Sequence, residues 1–276
     1  MANGGMSSLC VADKPVILKS DIARAFGKAS TTYESASRLQ RLTGNVMLKR
    51  LARQPDFEAP PAILDLGCGT GWFTRKLQQL YPVSRVTGAD LSPGMIEHAQ
   101  SLSDPKLNWL VADAGYLPLP DSGFDLIFSN LMIQWCEHPN EVLHECWRLL
   151  KPGGRLMIST LVDGALWELK QAWSKADPGR AHVNRFETFA ALSALVSAEL
   201  PGAVAEARTI RLPYNSPMAL VSELKFLGAG YKGSERRKTV TAPGRLREMC
   251  RQYPIGPNGE VIASYETAWI YWQKPE

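Results

Sequence analysis

Three acids and three glycines are the residues of this sequence whose types and spacing suit ligand chemistry. Gly67, Gly69 and Gly71 alternate with Cys68 and Thr70 directly after the apolar run Ile63-Leu64-Asp65-Leu66. Glycines at alternate positions let backbone approach a ligand closely, and they present the amides of a following helix N-terminus to a carboxylate or phosphate. Asp65, Asp90 and Asp113 each fall at the carboxyl end of a short apolar run, which is where open α/β sheets bind ligands. Asp90 has two oxygens for two ribose hydroxyls, and Asp113, followed by Ala114, can accept a hydrogen bond from an adenine amino group. Any one of these aspartates alone would read equally well as a turn residue; three at successive strand ends read as a nucleoside site. A nicotinamide cofactor fits less well, because the loop is Gly-x-Gly-x-Gly instead of Gly-x-Gly-x-x-Gly and no second dinucleotide-binding half follows.

The elements that must position these residues alternate. From Pro61 to Ile158 short apolar runs (Ile63 to Leu66, Val83 to Ala89, Leu107 to Val111, Phe124 to Ser129) are separated by helical segments after Gly71 and from Pro93. That alternation predicts parallel strands with helical crossovers. A helix over Glu141 to Leu150 ends at Lys151-Pro152-Gly153-Gly154, ahead of a strand over Arg155 to Leu161. Residues 21–53 read as helical with Leu39, Leu42 and Val46 on one stripe, and Pro55 stops them. Further on, Ala165 to Ala176, Glu187 to Glu199 and Pro217 to Leu227 read as helices, and Arg208 to Leu212 and Val261 to Trp272 as strands.

Composition narrows the function classes. A chain of 276 residues with 45% hydrophobic and 21% charged residues is that of a globular protein with one large domain and an insertion. No run approaches the ~18 to 20 apolar residues that cross a bilayer, and Met1 to Val16 lacks the form of a secretion signal; a cytoplasmic location is expected. Five scattered cysteines and four histidines without metal-ligand spacing suggest neither disulfides nor a metal site. Residues 203–251 hold ten Lys or Arg against four acids, including Arg236-Arg237-Lys238, so an acidic partner is expected there.

As a set, Leu64 to Thr74, Asp90-Leu91-Ser92, Asp113, Phe124 to Asn130 and Leu150 to Gly154 resemble the successive motifs of class I S-adenosylmethionine-dependent methyltransferases. The resemblance implies a Rossmann-like, mostly parallel seven-stranded sheet with an antiparallel last strand. It also implies S-adenosylmethionine lying across the ends of strands one, two and four, with Asp65, Gly67, Cys68, Gly69, Gly71, Asp90, Leu91, Asp113, Ala114 and Asn130 as cofactor residues. The Asn-Pro-Pro-aromatic run of nucleic-acid amino methyltransferases is missing, since strand four ends Ser129-Asn130-Leu131-Met132; no nucleic-acid partner is expected.

Beyond the generic motifs, Ala25-Phe26-Gly27 with Tyr33-Glu34, Ser129-Asn130-Leu131 with Gln134-Trp135-Cys136, Asn184-Arg185-Phe186, and Leu224 with Gly228 resemble malonyl-acyl-carrier-protein O-methyltransferases of biotin synthesis. The expected organisation is a flexible extension over residues 1–18 and one domain over 19–276. Within it, helices occupy 19–54, the cofactor core 61–161, a helical lid 162–200, and a sheet-completing basic segment 201–276. The reaction this resemblance implies is methylation of a free malonyl carboxylate. In it Arg185 is the carboxylate-binding cation, Tyr33 and Trp135 close the pocket, and His182 and Asn184 position the malonyl carbonyl. Acyl carrier protein is the implied acidic partner, with Arg236, Arg237 and Lys238 as docking candidates. Two other readings are a methyltransferase for another small acid or quinone precursor, and a binding protein without catalysis.

Overall fold

A computed structural model describes residues 18–233 and 241–276. The expected N-terminal extension up to residue 17 and the run Arg236-Arg237-Lys238 lie outside the described residues. Seven strands form one sheet in the order β3-β2-β1-β4-β5-β7-β6. β1 (Ala62–Leu66), β2 (Arg85–Asp90), β3 (Asn108–Val111), β4 (Phe124–Asn130) and β5 (Leu150–Leu161) are parallel. β7 (Val261–Gln273), the last strand in sequence, is antiparallel to both β5 and β6 (Val204–Tyr214), as expected from the motifs. The chain runs outward from β1 to β3, then returns to place β4 on the other side of β1. Strand order therefore reverses between β1 and β4, and a crevice at their carboxyl ends is where such sheets take a ligand.

β1 is buried along its whole length, as a central parallel strand covered on both faces must be. Ile63 packs with Met47 and Leu51 of α2 (Arg38–Leu51) and Phe73 and Leu77 of α3 (Trp72–Leu80). Leu64 and Leu66 point the other way, to Leu143, Cys146 and Leu149 of α5 (Pro139–Leu149). α4 (Pro93–Ser101) is the crossover between β2 and β3. In the segment expected as a lid, α7 (Phe189–Glu199) sets Leu192 and Val196 on the same sheet face as α5, whereas α6 (Trp167–Ala176) packs against α9 (Pro243–Gln252) and β7. With α8 (Pro217–Phe226), α6 and α9 enclose a third apolar cluster containing Leu131, Leu169, Trp173, Leu220 and Tyr265.

The helical stretch expected over 21–53 is two helices, α1 (Lys19–Ala36) and α2, broken at Ser37. Ser37 Oγ and Arg41 Nη2 both donate to the Glu34 carbonyl, at 2.9 and 2.6 Å, so side chains take over the acceptor as the helix ends. The break also rotates the buried stripe: Leu39, Thr43 and Met47 are buried, whereas Leu42 is 45% exposed. Helix α9 was not legible in the sequence, because its ten residues carry three arginines and bury only Met249. No described helix is long and apolar enough to cross a membrane.

Two close backbone approaches hold α1 over the strand ends. At Gly27 a Cβ would lie 2.9 Å from Ser92 Oγ, and at Gly94 of α4 a Cβ would lie 3.1 Å from the Gly27 Cα, while Ser92 Oγ donates to the Ala23 carbonyl at 2.8 Å. At the other side Gly228 ends α8 with φ +68°, where a Cβ would sit 2.6 Å from the Ala25 carbonyl oxygen. Gly27 and Gly228 are among the residues that carried the narrower resemblance, and their shared purpose is to seat α1.

Candidate active site

The crevice between α1 and the carboxyl ends of β1, β2 and β4 is a hollow lined by Gly67, Gly69, Asp90, Leu91, Asp113, Ala114 and Asn130, together with Tyr33 and Trp135. Seven of the ten expected cofactor residues thus meet there. Asp90 holds the loop in place, since its Oδ2 accepts from the Gly69 amide at 2.9 Å and its Oδ1 from the Ser92 amide at 2.8 Å. Each oxygen keeps a further lone pair for a ligand hydroxyl. Burial raises the Asp90 carboxyl above its ordinary value, and the two amides pull it back in part.

Asp113 lies just beyond β3. Its Oδ2 takes a hydrogen bond from Lys19 Nζ at 2.5 Å and its Oδ1 one from the Gly115 amide at 3.1 Å. Burial pushes the Asp113 carboxyl up, but these donors outweigh it and hold the group below the usual value. Lys19, not singled out in the sequence, therefore joins the first turn of α1 to the far wall of the hollow. Asn130 uses its side chain structurally: Oδ1 accepts from Thr43 at 2.8 Å and Ser159 at 2.7 Å, and Nδ2 donates to the Gln40 carbonyl at 3.0 Å.

The three loop glycines have different reasons. All have positive φ, which a Cβ disfavours. At Gly67 a Cβ would meet Met132 Cγ at 2.2 Å, whereas at Gly69 the nearest atom is Tyr33 Cε1 at 3.8 Å, leaving the backbone open to the hollow. Gly71 does not line the hollow; it begins α3 and makes room for Trp109, whose ring would stand 2.3 Å from its Cβ.

Asp65 and Cys68 face a smaller neighbouring hollow with Gln40, Arg41 and Thr70. Arg41 stacks its guanidinium 4.1 Å over the Trp72 ring, and its Nε is buried without a partner, as is Gln40 Oε1. Arg41 and Gln40 were missed in the sequence, where they read as the polar side of a helix. Asp65 Oδ2 accepts from Thr74 Oγ1 at 2.6 Å. Burial pushes the Asp65 carboxyl up to about 7 against this bond, with Asp90 adding to the rise. Because the folded value lies above the unfolded value of 3.8, the protonated form favours the fold. That contribution is complete below pH 3.8 and is lost as pH rises through about 7. The ligand-free protein is expected to melt a few degrees lower at about pH 8 than at about pH 5, and Asp65→Asn to flatten the profile. A profile that Asp65→Asn leaves unchanged in thermal melts would show that Asp65 is ionised throughout that window.

A second hollow adjoins the first, and Phe26, Tyr33, Leu131 and Trp135 line both. Phe26 meets Trp135 edge-on with ring centroids 5.2 Å apart, and Tyr33 at 6.3 Å. Leu131 occupies the junction in a left-handed conformation, φ +53°, the kind of backbone strain that collects at functional sites. His182 and Asn184 line the second hollow. His182 Nε2 lies 2.9 Å from Asp177 Oδ2, with its ring stacked 3.9 Å from that of Trp173, while Asn184 Oδ1 accepts from the Lys232 amide at 3.0 Å. Arg185 is exposed between the lining residues Asn184 and Phe186, and among the described residues no carboxylate pairs with it.

These residues suit a nucleoside carrying an amino-acid end. Asp90 and Asp113 present acceptor oxygens of the kind that suit ribose hydroxyls and an adenine amino group, and the buried Arg41 Nε without a partner stands in the same small hollow as Asp65, where a carboxylate and an amino group could be met. No group of three or more His, Cys, Asp or Glu able to hold a metal occurs among the described residues.

A family described as methyltransferase domain matches residues 64–158. The fold is also that of phosphoethanolamine N-methyltransferase 2 of Haemonchus contortus, solved in complex with S-adenosyl-L-methionine. That likeness has a TM-score of 0.56 at 18% identity, covering 91% of this chain and 57% of that one. Fold and site together define a class I methyltransferase. The chain is 39% identical over 249 residues to the malonyl-[acyl-carrier protein] O-methyltransferase of Hahella chejuensis, covering 90% of this chain and 87% of that protein. It is 37% identical to the biotin biosynthesis bifunctional protein BioHC of Cellvibrio japonicus, matching 93% of this chain and half of that longer protein. The chain belongs to the malonyl-[acyl-carrier protein] O-methyltransferase family.

Proposed function

We infer that the protein transfers a methyl group from S-adenosylmethionine to the free carboxylate of a malonyl thioester on acyl carrier protein, giving the methyl ester used in biotin synthesis. S-adenosylmethionine supplies the methyl group on a positively charged sulfur. Asp90, Asp113, Ala114 and the amides around Gly67 and Gly69 hold its nucleoside, with Arg41 and Asp65 at its amino-acid end. The acceptor enters the second hollow, where Arg185 grips the carboxylate through two parallel hydrogen bonds from its guanidinium. His182 and Asn184 steady the rest of the malonyl group.

The wall shared by the two hollows carries this reading, because it is aromatic and holds no free base. Of the groups around it, His182 is engaged with Asp177. Glu223 is held by Arg38 at 2.8 Å and Tyr214 at 2.6 Å. Burial, with Asp90 and Asp65 nearby, keeps the Tyr33 phenol well above its ordinary value and therefore protonated. A quinone-ring carbon needs deprotonation, and the shared wall of Phe26, Leu131, Trp135 and the protonated Tyr33 offers no acceptor for that proton. A carboxylate, with reference pKa ~4, is already ionised at neutral pH and needs only to be aligned and stripped of water. Phe26, Tyr33 and Trp135 exclude that water, and an aromatic face stabilises a desolvated cation by ~1 to 2 kcal/mol. Esterification removes the charge that Arg185 binds, which releases the product.

Purified protein given methyl-labelled S-adenosylmethionine is expected to label malonyl-carrier protein and not acetyl-carrier protein, which has no free carboxylate. Mass spectrometry of the intact carrier reads both. Equal labelling of the two would overturn the assignment, and cofactor binding without ester would leave a sensor.

A further inference from the structure

Beyond the second hollow lies a wide surface groove walled by α1, α8 and the loop after α6. Among the described residues its charged lining is five cations, Arg24, Lys28, Arg180, Lys225 and Lys232, against one acid, Asp21. Asp21 is already paired with Arg24 at 3.1 Å. Lys28, Arg180 and Lys225 are exposed, and among the described residues no acid pairs with them. Next to Lys225, Phe226 is 48% exposed and lines the same groove. A strip of unneutralised cations around an apolar side chain is a surface that gains by covering with an acidic, partly apolar protein face.

The groove borders the second hollow. Leu169, His182, Leu224, Gly230 and Tyr231 line both, which sets the groove floor next to the hollow that holds the shared aromatic wall. The walls are firmly set. Gly228 brings α8 against α1, and Thr32 Oγ1 donates to the Phe226 carbonyl at 2.8 Å.

We propose that this groove is the docking surface for the acidic carrier protein, whose helix face covers Lys28, Arg180, Lys225 and Phe226 while its acylated arm follows the groove floor into the second hollow. The proposal rests on the carrier-bound substrate inferred above, and it places the main docking charges on α1, α8 and the 177–182 loop instead of on Arg236, Arg237 and Lys238. Electrostatic docking makes two demands: affinity must fall as salt rises, and it must fall on charge reversal without loss of the catalytic site.

The test uses the full chain with Lys28→Glu, Arg180→Glu and Lys225→Glu combined, and a control with Lys49→Glu and Arg53→Glu, which are exposed on or just after α2 and do not line the groove. Binding of malonyl-carrier protein is measured by fluorescence anisotropy at two salt concentrations. Turnover is measured with malonyl-carrier protein and with malonyl-pantetheine, which has the arm but no acidic protein. The groove variant is expected to bind the carrier ~10-fold or more weaker with a flattened salt dependence, and to raise KM for the carrier substrate alike. Its turnover of malonyl-pantetheine should match wild type, which also shows that it is folded, and the control should match wild type throughout. Unchanged carrier binding in the groove variant, or equal loss on both substrates, would overturn the docking assignment. Salt-sensitive carrier binding that the groove variant loses, with no methyl ester formed by wild type, would leave the surface standing and remove the proposed reaction.

Discussion

Asp90→Ala is expected to weaken S-adenosylmethionine binding by at least ~100-fold while leaving the sheet intact. The carboxylate does two things at once, which is why the effect is large. It faces the ligand hollow, where two hydroxyls would each gain a charge-assisted hydrogen bond of ~1.5 to 3 kcal/mol, together ~3 to 6 kcal/mol or about two to four powers of ten. It also accepts the Gly69 and Ser92 amides, so truncation leaves two donors without partners and loosens the loop that has to fit the ligand. Calorimetric titration measures the affinity, and circular dichroism checks the fold. Asp90→Asn separates the two contributions, because its single carbonyl oxygen can keep one amide but carries no charge. Affinity within a few-fold of wild type in Asp90→Ala would move the ribose site away from β2.

Arg185→Ala is expected to lower kcat/KM for malonyl-carrier protein by ~100-fold, about 2.7 kcal/mol, with S-adenosylmethionine affinity unchanged. Arg185 stands between two residues of the second hollow and has no carboxylate partner among the described residues. Its guanidinium is therefore uncommitted, unlike Arg38, which is paired with Glu223. An exposed resting position is compatible with the role, since a long side chain that swings in over bound substrate loses solvent only at that moment. Lysine keeps the charge but not the planar fork, so Arg185→Lys should fall between wild type and alanine. Steady-state kinetics on the alanine variant is the check, and wild-type values there would assign carboxylate recognition to another residue.

The gathering of the acids and the glycine turn at one rim of the sheet was readable because its determinants are local. Asp65, the alternate glycines, Asp90-Leu91 and Asp113-Ala114 sit where strands give way to helices, and a parallel sheet carries such ends to one rim automatically. Gly71 shows the limit of that reading: it belongs to the glycine pattern, yet it accommodates Trp109, a residue 38 positions later whose approach no spacing reveals. Arg41 and Gln40 were hidden for the reverse reason, since a polar helix face looks solvated until the break at Ser37 turns it inward.

By itself, the sequence determined the alternating strands and helices, the order of the acids along the rim and the residues that resemble the family, because hydrophobic period and turn chemistry act over a few residues. Only the tertiary structure decided that Phe26 of α1 and Trp135 after β4 form one wall between two hollows, and that Lys28 and Lys225 share a groove with Arg180. Those neighbours are set by how α1 is seated on α4 and α8 through Gly27, Gly94 and Gly228. Such seating depends on close packing between segments up to about two hundred residues apart, which no local pattern encodes.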